Sequence, residues 1–112
     1  MTTLLPQDAN DHPIPALRLK DGAAHTVPAT ATSARNTVAF DDATRIISIY
    51  TDVPVFLKFG DAAVTATNAD HFFPVGTYYD ISIGGDKAGH YTNLAALRAG
   101  TTDGTLYISE KE

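Results

Sequence analysis

A chain of 112 residues with 13 acidic and 8 basic side chains, a net charge of −5 and no cysteine is the size of one domain and can bury a core without staples. The lack of cysteine excludes a disulfide framework, thiolate metal ligands and a cysteine nucleophile. The basic residues are scattered singly and offer no patch for phosphate, so nucleic acid is not expected as a direct partner. No apolar run approaches the roughly 18 residues of a membrane helix and no basic region leads into a hydrophobic stretch, so neither a span nor a cleavable leader is expected.

Alanine and threonine dominate while glutamate and lysine are scarce, a bias that favours strands and loops over helices. In chain order, residues 1–22 carry Pro6, Pro13 and Pro15 among short polar residues. Proline removes backbone donors and keeps its predecessor extended, so this stretch reads either as a disordered tail or as an extended arm that orders on a neighbouring subunit, with Leu4, Leu5, Ile14 and Leu17 as its partner-binding anchors. Residues 23–112 read as the folded domain. Short strands are expected around His25–Val27 and Thr37–Phe40, with Asp41–Ala43 as a turn.

Thr44–Gly60, TRIISIYTDVPVFLKFG, is the densest apolar segment and reads as a hairpin turning near Thr51 and Asp52. Val53, Val55, Leu57 and Phe59 share one face, the period of a half-buried strand. Ile47 and Ile49 oppose Ile46, Ser48 and Tyr50, so that half is apolar on both sides and belongs centrally in a sheet or under a partner chain. Ala62–Thr67 reads as a weak edge strand and Asn68–Asp70 as a turn. Tyr79, Ile81 and Ile83 then alternate against Tyr78, Asp80 and Ser82 until Gly84 and Gly85 stop the strand. Asp86–Gly89 reads as a loop. Asn93–Ala99 suits a short helix or a strand, and a helix of two turns is marginal alone. Thr105–Ser109 reads as a final strand with Leu106 and Ile108 inward, and Glu110–Glu112 as a solvated end. About six to eight short strands punctuated by turns point to an all-β fold, a small antiparallel β-sandwich of jelly-roll or barrel type with the N-terminal arm appended.

Residues that could carry chemistry are sparse. Histidines 12, 25, 71 and 90 have no close metal-ligand spacing. His71, beside Asp70 and with Asp80 on a strand that could pair nearby, is the best of them, and a structural histidine is still the better reading. No serine lies in a Gly-x-Ser-x-Gly setting. GGDKAG lacks the phosphate-loop spacing, and Asp41, Asp42 and Asp61 lack the regular oxygen ligands of a calcium loop. No enzyme activity, cofactor or metal is expected. Phe56, Tyr78, Tyr91 and Tyr107 fall opposite or outside the core positions and could stack on sugars or fill a partner's pockets. Cover for the second face of the sandwich, or burial between subunits, is the favoured reading for them.

The order ATATSARNTVAF, RIISIY, VFLKFG, AVTATNADHFFPVG and NLAALRAGTTDGTLYIS, over residues 30–109, resembles that of small accessory virion proteins of tailed bacteriophages. The resemblance implies a β-sandwich with Asn93–Ala99 as a strand, attached as a capsid cement or decoration protein to the major capsid protein. It also admits a head-fibre or tail module that binds host-surface glycan or another virion protein. It implies a homo-oligomer, with a trimer suggested by capsid three-fold positions, and a virion location after assembly in the bacterial cytoplasm.

Overall fold

The computed structural model describes residues 7, 9–12, 17–85 and 89–112. Leu4, Leu5 and Ile14 of the expected arm, and most of the expected Asp86–Gly89 loop, lie outside them. The described residues form strands β1 (Leu19–Ala29), β2 (Ala34–Arg35), β3 (Ile46–Thr51), β4 (Val55–Gly60), β5 (His71–Phe73), β6 (Tyr79–Ser82), β7 (Asn93–Arg98) and β8 (Gly104–Lys111), with no helix among them. These make two antiparallel four-stranded sheets, ordered β1-β8-β3-β6 and β2-β7-β4-β5. Chain and sheet order interleave: every consecutive pair of strands except β4 and β5 lies in different sheets.

The sheets face each other in a sandwich-like arrangement because the period-two positions of both turn inward. Val27, Ile47, Ile49, Leu106 and Ile108 from one sheet meet Val55, Leu57, Leu94 and Ala96 from the other, and Phe40 and Ile83 close the same core. Leu57 is fully buried and Lys58 exposed, so the alternation read from Val53–Phe59 is the alternation of β4. Ile47 and Ile49 lie inward with β3 central in its sheet.

The expected hairpin over Thr44–Gly60 does not form. β3 and β4 lie in opposite sheets and pair with different strands. Local chemistry turns the chain out of the first sheet at Thr51, whose hydroxyl donates to the Val53 carbonyl at 2.5 Å. Asp52 then holds the crossing, its Oδ1 accepting the Thr105 amide at 2.7 Å. Pro54 follows directly and cannot donate to a ladder.

Other boundaries move as well. Leu19–Gly22, assigned to the arm by its polar composition, belongs to β1, which pairs with β8 from Leu19↔Lys111 to Ala29↔Gly104 around a bulge. Arg18 and Glu112 extend this edge with reciprocal backbone hydrogen bonds of 3.1 and 2.9 Å. Thr37–Phe40 is not a strand. β2 is shorter and earlier, and the buried Asn36 continues its role by accepting the Leu94 amide on Oδ1 at 2.8 Å. Ala62–Thr67 is an irregular segment in place of the expected edge strand. Its Val64 and Ala66 pack on Ala95 and Leu97, on the opposite side of β7 from the main core, and the Ala66 amide is tied to Ser33 Oγ at 2.8 Å. Asn93–Ala99, open between helix and strand in the sequence, is strand β7 as far as Arg98.

Candidate functional site

The largest departure from the sequence reading is at the C-terminal end. Glu110, expected in solvent, is 3% exposed. It occupies the same inward phase of β8 as Leu106 and Ile108, so it needs internal partners, and it has them. Oε2 meets His25 Nε2 of β1 at 2.8 Å. Oε1 accepts the Thr44 hydroxyl at 2.6 Å and the Asp41 amide at 2.9 Å. One carboxylate thus joins β1, β8 and the connection between β2 and β3.

Neighbouring groups extend this cluster. The His25 ring stands edge-on to Phe40, with centroids 5.3 Å apart. His90 Nε2 lies 2.8 Å from the Thr44 carbonyl, and Lys20 Nζ pairs with Asp41 Oδ2 at 2.7 Å. Burial alone would push the Glu110 carboxyl up; the hydrogen bonds from Thr44, His25 and the Asp41 amide outweigh it and hold the group below its ordinary value. Lys20 holds the Asp41 carboxyl low, helped by the Ala43 amide, and Asp41 holds the Lys20 ammonium high. Chemically this is a clamp: both carboxylate oxygens are occupied by protein donors. Among the described residues, no buried side-chain nitrogen or oxygen lacks a partner.

The other sequence candidates are not brought into one place. Leu17 is partly buried just before β1. Tyr107 lies on the outer face of its sheet opposite Tyr50, with ring centroids 6.5 Å apart. Tyr78 is exposed just before β6 under the Lys111 ammonium, which is 5.9 Å from its ring. Phe56 lies on the outer face of the second sheet against Phe72, at 5.9 Å. Tyr91 leans on Phe59 at 5.7 Å in the connection from β6 to β7. Asp70 is engaged with Thr67, and Asp80 with Ser48 and Lys111, so neither carboxylate is paired with His71. No cluster of three metal-ligating side chains occurs among the described residues, and no described helix is long and apolar enough to cross a membrane.

Sequence reasoning missed Phe72, Val75 and Tyr79 as exposed groups alongside Tyr78. The available signal was that His71–Tyr79, HFFPVGTYY, is aromatic-rich and contains no Asp, Glu, Lys or Arg. Comparison of this chain with protein-family models, with curated proteins and with solved structures returned no match.

Proposed function

We propose that this chain is a non-enzymatic structural protein of a tailed-bacteriophage virion, a capsid cement or decoration protein that binds between major capsid subunits and acts as a homo-oligomer. The observation that carries the reading is strand order. β1-β8-β3-β6 facing β2-β7-β4-β5 supports reading the two sheets as a jelly roll of two interleaved Greek keys, an architecture used by viral capsid domains and by lectins. Architecture alone assigns no role, so the segments that resemble phage accessory proteins supply the second support. RIISIY overlaps β3 from Ile46 to Tyr50, VFLKFG coincides with β4, and NLAALRAGTTDGTLYIS spans β7 and most of β8. A cement protein needs apolar and hydrogen-bonded contacts rather than chemistry, and an acidic net charge limits attachment to packaged DNA. Its location on this reading is the virion, after assembly in the bacterial cytoplasm.

The test is to add purified protein to emptied capsids and measure co-sedimentation and the rise in capsid melting temperature. Saturable binding with a raised melting temperature is expected. No binding to capsids of any maturation state would overturn the cement reading. A second reading, a head-fibre or tail module that binds host-surface glycan, is favoured by Tyr50, Tyr107 and Tyr78 exposed on one sheet face. Their rings can stack on sugars, and glycan-array binding by soluble protein would favour this role over cement.

A further inference from the structure

In an aspartyl-glycine pair the amide nitrogen of a residue without Cβ can come close to the preceding side-chain carboxyl, which makes the link between them chemically labile in water. The chain contains two such pairs, Asp21–Gly22 and Asp103–Gly104. Exposure does not separate them, since both aspartates lie in solvent. Their surroundings do. The Asp103 carboxylate is bound to Arg98, and Gly104 stands in register with Ala29 at the start of β8. A Cβ added to Gly104 would collide with Asp52 Oδ1 and Val53, and the next amide, that of Thr105, is itself held by Asp52 at 2.7 Å. A ring has no room to close there.

Asp21–Gly22 has none of these restraints. It lies in the bulge of β1, where the register with β8 passes from Leu19↔Lys111 directly to Ala24↔Ser109. Residues 20–23 therefore share only Glu110 as a counterpart, and the surplus chain stands out of register. Gly22 has φ of 73°, and a Cβ added to it would meet nothing. Among the described residues the Asp21 carboxylate has no hydrogen-bond or ion-pair partner, so its side chain is free to turn back onto the backbone.

We propose that Asp21–Gly22 is a site of spontaneous aspartate isomerisation in the folded protein, and that the fold protects Asp103–Gly104 from the same reaction. The Gly22 nitrogen attacks Cγ of the Asp21 carboxyl in its protonated form. The N–Cγ bond forms, the amide proton and the carboxyl hydroxyl leave together as water, and a succinimide ring closes. Water then adds back. Opening at the Cγ–N bond restores aspartate, whereas opening between the nitrogen and the Asp21 main-chain carbonyl carbon leaves the backbone running through Cγ as isoaspartate. The water released equals the water consumed, so the product has the mass of the starting chain and no oxidant, reductant or enzyme takes part. The new backbone carries an extra carbon, which the bulge accommodates without disturbing the register from Ala24 to Ala29. Outward of the bulge, Leu19↔Lys111 and the reciprocal Arg18–Glu112 hydrogen bonds are reached only through the altered link. The reaction is independent of what the domain binds.

Ageing the full-length protein at neutral pH, folded in buffer and unfolded in guanidinium chloride, tests this. Peptide mapping with electron-transfer fragmentation locates isoaspartate, and methyl transfer by an isoaspartyl methyltransferase counts its total. The quantity read at each site is the rate in the folded chain relative to that in the unfolded chain. Asp21 should keep a folded rate near its unfolded one, while Asp103 should fall at least about tenfold below its own. Asp21→Glu, which retains the charge but cannot close a succinimide, should remove most of the isoaspartate from aged folded protein, and Asp103→Glu should leave the amount unchanged. Equal suppression at both sites, stronger suppression at Asp21, or an Asp21→Glu protein that ages like the parent would overturn the proposal.

Discussion

Replacing Glu110 with alanine tests whether the clamp holds the domain together. The substitution removes an acceptor from three donors at once: His25 Nε2, the Thr44 hydroxyl and the Asp41 amide. Asp41 is exposed and its amide can turn to water, whereas Thr44 is 2% exposed and the His25 side chain 9%. Two buried donors left without partners cost about 1–3 kcal/mol each. The expected loss is therefore about 2–6 kcal/mol, a large share of the roughly 5–15 kcal/mol that a domain possesses. Urea denaturation at pH 7, followed by circular dichroism, gives the number directly. Because the cost is mostly that of stranding partners, His25→Phe combined with Glu110→Leu should be less destabilising than the sum of the two single changes, with a coupling of about 1–3 kcal/mol. A Glu110→Ala loss within about 0.5 kcal/mol, the range of ordinary surface changes, or strict additivity in the cycle, would refute the reasoning.

The carboxyls of Glu110, Asp41 and Asp80 are all held below their ordinary values, Asp80 by Lys111 first and then Ser48. Their contribution to stability is thus complete above the unfolded-state values near about pH 4 and is lost as pH falls through the lower folded values. Urea midpoints should decline continuously below about pH 4, and a midpoint that rose on acidification would contradict this. Lys20 has the opposite sign: its raised value means its contribution is present below about pH 10.4 and disappears only as the solution becomes more alkaline than its folded value. Leu57→Ala should cost about 2–5 kcal/mol and Lys58→Ala less than about 0.5 kcal/mol, with equal losses in equilibrium unfolding showing that the facing of β4 is misassigned. Gly84→Ala should be the more damaging of two turn substitutions. Gly84 has φ of 84° and an added Cβ would collide with the Gly89 carbonyl oxygen, whereas Gly76, with φ of 79°, faces open space. Thermal melts should place Gly76→Ala near the roughly 1–2 kcal/mol cost of a left-handed residue and Gly84→Ala well beyond it.

The alternation in β4 and β8 was legible because each strand has one dry face, and period two reports that face whatever the topology. What alternation does not report is which strands pair. Thr44–Gly60 has the pattern of a hairpin, yet Thr51, Asp52 and Pro54 send its halves into different sheets. The same limit applies to Ala62–Thr67, where Val64 and Ala66 do face inward, but against Ala95 on the outside of β7. Glu110 was misread because charge near a chain end suggests solvent. Its phase with Leu106 and Ile108 was the countervailing signal, and its partners His25, Asp41 and Thr44 are at least 66 positions distant in sequence. Phe56, Tyr78, Tyr91 and Tyr107 were recognisable as aromatics outside the core, but their distribution over both sheets, and the exposure of Phe72, Val75 and Tyr79 near Tyr78, follow from topology.

The position of β8 between β1 and β3 has a kinetic consequence. Until the last strand is available, β1 has no neighbour to pair with in its sheet and β3 lacks its longer partner, so the first sheet cannot be assembled progressively from its N-terminal end. The chain must bring together segments such as His25 and Ile108, and loop closure over such separations precedes any reward from pairing. Refolding on the millisecond-to-second scale typical of β-rich topologies follows. During synthesis, β1 and β3 stay without this shared neighbour until β8 itself has left the ribosome, after all of β2 to β7.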